Sequence, residues 1–134
     1  MKQLVTKTLL LCSTMTILGA SAFAPSIGLA QNADAQAAFE ALPGIPAQDL
    51  TTRLANKVFT VKWANGVTSR LDFRSNGYVY MNVGSDSSSR TWRTEDKKLC
   101  SSAKGEEICN EMRLDGDQVI MKARSGEIVR LVEN

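Results

Sequence analysis

From Lys57 onward, apolar and polar side chains alternate with a period of two, as they do in strands buried on one face. In K-V-F-T-V-K-W, Phe59, Val61 and Trp63 alternate with Thr60 and Lys62. V-T-S-R-L-D-F sets Val67, Leu71 and Phe73 on one face, with Ser69 between them. Y-V-Y-M-N-V turns Val79, Met81 and Val83 one way and Tyr78, Tyr80 and Asn82 the other. Asn65-Gly66 and Asn76-Gly77 separate these runs, and Asn-Gly between alternating runs is a strong hairpin signal. The polar stretch Gly84 to Ser89 reads as a loop, and Arg90 to Thr94 as a short strand around Trp92. A charged turn, Glu95 to Lys98, precedes Leu99-Cys100. Ser101 to Glu107 reads as a polar loop. Beyond it Ile108, Met112 and Leu114 face away from Cys109, Glu111 and Arg113. Val119 with Met121, then Val129 with Leu131, complete the pattern around turns at Asp115-Gly116-Asp117 and Ser125-Gly126. Seven or eight short strands with tight turns between them predict a mainly β fold. The expected form is one antiparallel meander closed into a small barrel, with a two-sheet sandwich as the alternative.

Upstream the period changes. Gln31 to Leu42 is rich in alanine, the best helix former, and Asn32 or Asp34 is placed to cap a helix start. Phe39 and Leu42 would share a face of that segment, which reads as a loose helix or an unstructured lead. Pro43-Gly44-Ile45-Pro46 ends it as a turn or spacer. Leu50 and Leu54, four apart, then predict a short helix laying both side chains on one end of the β-domain. The first thirty residues have the plan of a secretory signal peptide. Lys2 and Lys7 precede an apolar run from Leu9 to Ala24, and small residues follow. Cleavage fits after Ala24 or after Ala30. Pro25 disfavours the first, so the second is expected. The domains are then 1–30 signal, 31–47 lead and spacer, and 48–134 β-domain, with no transmembrane segment after cleavage.

Processing alters the charge balance. Of 16 basic residues, Lys2 and Lys7 leave with the signal, and 14 remain against 14 acidic ones. A neutral mature chain argues against nucleic-acid binding, which needs clustered positive charge. Arg90, Arg93, Lys97 and Lys98 fall close together but have Glu95 and Asp96 among them, the pattern of a mixed, solvated surface.

Cys100 and Cys109 are the cysteines left after cleavage, and in a periplasmic or secreted protein they predict one disulfide. A metal site is the competing reading. The chain has no histidine, and two thiolates alone do not complete a tetrahedral zinc site, so no metal and no cofactor is expected. Without histidine no Ser-His-Asp or Cys-His arrangement is available, and no Gly-rich phosphate loop is present. A glycosidase would draw on carboxylates such as Asp72, Asp86, Glu95 and Glu111, but nothing brings two of them into one cleft. The protein is therefore expected to bind rather than catalyse. The candidate surface is Tyr78 and Tyr80, on the polar face of their strand, with Lys104, Glu106 and Glu107 in the disulfide loop. A pinned, Gly105-containing loop could present side chains to a protein or cell-envelope partner at small ordering cost, for example to inhibit an enzyme. The plain alternative is a stapled hairpin. The other binding reading is a lipocalin-like carrier, with the tyrosines lining the barrel around a small apolar ligand.

Residues 54–131 also resemble a family of small secreted proteobacterial β-domains of unknown function. The resemblance rests on Asn76-Gly77, Thr91-Trp92-Arg93, Leu99-Cys100, Ile108-Cys109 and Asp115-Gly116-Asp117. It departs from that pattern at Thr91, where the family often has glycine. The resemblance implies a periplasmic, disulfide-stapled β-domain and no particular chemistry.

Overall fold

The computed structural model describes residues 27–134. Eight strands follow one another as hydrogen-bonded antiparallel neighbours: β1 (Lys57–Lys62), β2 (Thr68–Phe73), β3 (Tyr78–Val83), β4 (Asp86–Glu95), β5 (Lys98–Ala103), β6 (Glu106–Asp115), β7 (Gln118–Lys122) and β8 (Ile128–Glu133). Residues Phe59 and Thr60 of β1 pair with Glu133 and Val132 of β8, which closes the sheet into a barrel and rules out the sandwich. Closure leaves no strand edge to attract another chain.

The alternation decides what lies inside. Phe59, Val61, Leu71, Phe73, Val79, Leu99, Met112, Val119, Met121, Val129 and Leu131 are buried and form one cluster. Phe73 stands at its centre, edge-on to Phe59 at 6.0 Å and to Trp92 at 5.3 Å. Such edge-to-face pairs add about 0.5–1.5 kcal/mol each beyond the area they bury. Ser69 is the polar exception on the inward face. It is buried, and its hydroxyl takes the Trp63 indole N–H at 2.7 Å.

One end of the barrel is plugged, as the Leu50 and Leu54 spacing implies. Helix α2 (Ala47–Leu54) places both leucines fully inside the core cluster. Its start is tied to the β4–β5 turn: Ala47 N–H donates to Asp96 at 2.9 Å, and Thr94 donates to the Ala47 carbonyl at 2.9 Å. Pro43 to Pro46 is more than a spacer. Gly44 bridges to Arg113, Leu114 N–H donates to the Pro43 carbonyl at 3.0 Å, and Lys97 N–H donates to the Ile45 carbonyl at 2.8 Å. Ile45 is thereby drawn wholly into the core. A side chain at Gly44 would come within 2.6 Å of Lys97 Cγ, so only glycine lets the segment lie this close without displacing that lysine.

The lead is a helix, α1 (Ile27–Ala41). It begins upstream of the expected caps, so Asn32 and Asp34 lie inside it. Extending a helix costs less than nucleating one, and Ala-rich sequence gives little reason to stop. The expected cleavage point after Ala30 falls within α1, while residues 1–26 of the expected signal peptide lie outside the described residues. The helix packs on the outside of the barrel through Phe39, which is buried, with Arg113 and Lys122 over its ring at 5.5 and 5.2 Å.

Two expected loops are strands. Gly84 to Ser89 reduces to a turn at Gly84-Ser85, and β4 starts at Asp86. Ser87 and Ser89 stand opposite Asn82 and Tyr80 on the outward face, so their polarity does not oppose the pairing with β3. Likewise Ser101 to Glu107 is strand on both sides of a two-residue turn, Lys104-Gly105, whose φ angles are 52° and 81°. Serine has little strand propensity of its own; the ladder on either side supplies what it lacks. The Asn-Gly turns work differently from a two-residue turn. Only the glycines have positive φ, 83° at Gly66 and 90° at Gly77. Each asparagine side chain accepts the amide two residues on, at 3.0 Å from Val67 and 3.2 Å from Tyr78.

Candidate functional site

The disulfide is formed as expected. Cys100 and Cys109 are direct cross-strand partners on β5 and β6, with Cα atoms 4.0 Å apart. They lie on the outward face, yet Cys100 is fully buried while Cys109 is exposed. Glu107 approaches the two sulfurs closely enough to suggest a metal cluster, but sulfurs bonded to each other offer no thiolate.

The tip of the hairpin is a two-residue turn, and ion pairs reach the residues beside it. Glu106 reaches Arg124 at 3.5 Å and Glu107 reaches Arg93 at 2.7 Å. Arg93 also pairs with Glu95, and bonds to Glu95 first and Glu107 second hold its guanidinium above its ordinary pKa. Two of the three candidate residues at the tip are therefore engaged within the barrel's own surface. Lys104 has no ion-pair partner among the described residues. Lys104 and Gly105 both have left-handed backbone, so the Lys104 side chain projects from a two-residue turn.

The tyrosines do not line the interior. Val79 between them is buried, so the pleat turns both outward, with exposures of 45% at Tyr78 and 46% at Tyr80. Their neighbours follow from the register. Asp72 of β2 and Ser89 of β4 stand beside Tyr80, and Thr91 stands beside Tyr78 with Ser102 of β5 beyond it. One row further on, Arg70, Asn82 and Ser87 line up. Asp72 is only 6% exposed although it faces outward, because Arg74 at 2.8 Å and Arg70 at 3.8 Å close over it. The two guanidiniums share that one carboxylate and remain about half exposed. Tyr78, Ser89, Arg90, Thr91, Ala103 and Lys104 are among the residues lining a cleft of about 440 Å³ on this face. The fold thus brings Tyr78, Tyr80 and Lys104 together and sends Glu106 and Glu107 into local ion pairs.

Sequence reasoning missed Arg70, Asp72 and Arg74 as part of this surface. The signal was present: in T-S-R-L-D-F the polar residues alternate with Leu71 and Phe73, and the Gly77 turn sets them against the tyrosines. Arg90 departs from the expected solvated cluster. It stands opposite inward-facing Val79, is half-buried, and donates to the Glu106 carbonyl at 3.1 Å, while its Nε is buried without a partner.

Other features have local roles. The four carboxylates considered for a glycosidase are dispersed. Asp72 is on β2, Asp86 and Glu95 are at opposite ends of β4, and Glu111 on β6 pairs with Lys122 at 2.7 Å. The largest cleft described, about 800 Å³, lies between α1 and the unplugged end and is lined in part by Lys62, Trp63 and Glu127. Its polar groups are largely spent: Trp63 donates to Ser69, and Glu127 accepts the Ala64 amide. Beneath α1, Glu40 meets Lys122 at 3.0 Å and Arg113 at 3.3 Å. The bond from Lys122 holds the Glu40 carboxyl below its ordinary pKa, and bonds to Glu111 and then Glu40 hold the Lys122 ammonium above its own. Among the described residues no helix is long and apolar enough to cross a membrane. No family model, curated protein or solved structure matches the chain.

Proposed function

We propose that this is a secreted, non-enzymatic binding protein that engages a protein or cell-envelope partner through the outer face of β2, β3 and β4. The observation that carries this reading is the pair Tyr78 and Tyr80, side by side on that face and close to half exposed. Beside them are two guanidiniums that share one buried carboxylate. Tyrosine and arginine bury much contact area at small entropic cost and dominate binding hot spots. Blocking an enzyme of the cell wall or of a host is one form such binding would take. A disulfide fits an oxidising compartment, the periplasm or the exterior. The carrier reading has less support, because the inward positions of the barrel are filled by Leu50, Leu54, Phe59, Phe73 and Met112 packed on one another.

Native mass spectrometry of the protein taken from its own host tests this, with a Tyr78→Ser/Tyr80→Ser variant beside it. A partner held by the wild type and lost from the variant is the expected result. A small apolar adduct that survives in the variant would favour the carrier instead.

A further inference from the structure

The tyrosine face has a composition that narrows its partner. Polar groups crowd it, all outward on adjacent strands: the hydroxyls of Ser87, Ser89, Thr91 and Ser102 and the amide of Asn82, with Ser87 donating to Asn82 and Thr91 to the Ser102 carbonyl. The large hydrophobic side chains exposed among the described residues are Tyr78, Tyr80, Val83 and Val132. Val83 stands at the rim of the unplugged end, and Val132 lies on β8, away from this face. No exposed aliphatic side chain therefore sits between the tyrosines and the hydroxyl rows. A protein partner normally meets a dry apolar centre ringed by polar groups. Here the centre is two phenol rings, and apart from Ala103 the side chains lining the cleft beside Tyr78 carry hydrogen-bonding groups.

Such a surface suits a sugar. Tyr78 and Tyr80 are two residues apart on one strand, roughly 7 Å along it, so their rings can underlie successive units of a chain. An aromatic face takes the C–H side of a pyranose, while hydroxyls and guanidiniums bond its rim. The charge selects further. Arg70 and Arg74 share the single carboxylate of Asp72, leaving one positive charge in excess. Lys104, with no ion-pair partner among the described residues, adds a second at the edge of the 440 Å³ cleft. Arg90 on β4 lines the same cleft with no ion pair among the described residues and adds a third, while Arg93 is outweighed by Glu95 and Glu107, which leave one negative charge in excess beside it. A planar guanidinium pairs two-fold with a carboxylate or phosphate.

We propose that the face formed by Arg70, Arg74, Tyr78, Tyr80 and Lys104 binds an acidic saccharide, a chain of sugars carrying carboxylate or phosphate groups. This rests on the reading of that face as the binding surface and names its ligand class.

The test is a titration of ¹⁵N-labelled protein with a linear tetramer of galacturonic acid, and in parallel with the neutral tetramer of galactose. The acidic tetramer is expected to shift the amides of residues 78–82 and 87–91 and the Lys104-Gly105 turn. The neutral one should bind about ten-fold more weakly or worse. Tyr80→Ser removes one stacking ring and should weaken binding about five-fold. Lys104→Asn removes the free charge while keeping a residue that tolerates positive φ, so the turn survives. It should weaken the acidic tetramer several-fold more than the neutral one, because only the acidic chain loses an ion pair as well as a hydrogen bond. The rest of the spectrum reports whether each variant keeps the fold. Shifts confined to other faces, or no shift with either tetramer, overturn the proposal. Equal binding of the two tetramers overturns its acidic part. If both tetramers fail while the tyrosine variant still loses a protein chain in native mass spectrometry, the ligand class is wrong and the binding face stands. If that chain is also absent, the functional reading falls with it.

Discussion

Replacing Trp92 separates packing from surface chemistry at the plugged end. Its ring is half-buried on the inward side of β4, edge-on to Phe73 at 5.3 Å. Its indole N–H donates to the Arg74 carbonyl at 2.9 Å, across the β2–β3 turn. Trp92→Ala removes three contributions. The aromatic pair is worth about 0.5–1.5 kcal/mol. The hydrogen bond is worth about 1 kcal/mol. Burial of part of the ring adds about 1–1.5 kcal/mol, less than a fully buried side chain would give. The sum is a loss of about 2.5–4 kcal/mol, around the low end for large-to-small changes at aromatic sites. Trp92→Phe keeps a ring against Phe73 and loses the bond, so it should cost only about 1–1.5 kcal/mol. Urea unfolding followed by far-ultraviolet circular dichroism measures both. With a slope of about 1.2 kcal/mol per molar urea, the alanine variant should shift the midpoint by roughly 2–3.3 M, or unfold outright. A loss below about 1 kcal/mol for Trp92→Ala would refute the packing account and make Trp92 a binding residue. Equal costs for alanine and phenylalanine would refute the partition between ring contact and hydrogen bond.

Three further outcomes follow from particular contacts. Cys100→Ser with Cys109→Ser should destabilise the oxidised protein by about 2.5–3 kcal/mol, the chain-entropy value for so short a loop. That is a drop of roughly 10–20 °C in Tm by calorimetry, and a reductant acting on the wild type should reproduce it. Leu50→Ala empties part of the plug, where the side chain is fully buried, and should cost about 3 kcal/mol in chemical denaturation. The Glu40 carboxyl is held below its ordinary value near 4.5, chiefly by the bond from Lys122. A depressed carboxyl stabilises the fold above its unfolded pKa and ceases to do so as pH falls through the folded one. Hydrogen exchange in α1 should therefore be faster in Glu40→Gln than in the wild type at neutral pH, and the two should converge in acid only once pH falls below the lowered folded-state pKa of Glu40. A difference undiminished in acid would remove Glu40 as the tether.

Much of this protein is legible along the chain. A period of two from Lys57 onward states which side chains are inside, because the pleat leaves no choice once one face is buried. Leu50 and Leu54 announce a plug, and Cys100 with Cys109 announce a staple. The outward stance of Tyr78 and Tyr80 was legible as one of two alternatives, and the burial of Val79 between them decides it. Tertiary pairing settled the rest. The serine runs became strand because a ladder on each side supplied what their own propensity lacks. Ile45 entered the core because Gly44 let its segment lie against Lys97, a contact between residues more than fifty positions apart. Closure came from β8 meeting β1, and a meander sequence is equally compatible with remaining open. The candidate site shows the division most clearly. Composition named Tyr78, Tyr80, Lys104, Glu106 and Glu107, but strand register chose among them. Pairing set Glu107 against Arg93 and Glu106 against Arg124, left Lys104 without an ion partner among the described residues, and laid the local Arg70–Asp72–Arg74 cluster of β2 beside the tyrosines. Periodicity is a property of one strand and can be read locally. The Arg70–Asp72–Arg74 cluster is likewise local, but whether Glu107 meets Arg93, or the cluster meets the tyrosines, depends on two strands at once, and only the folded sheet sets that distance.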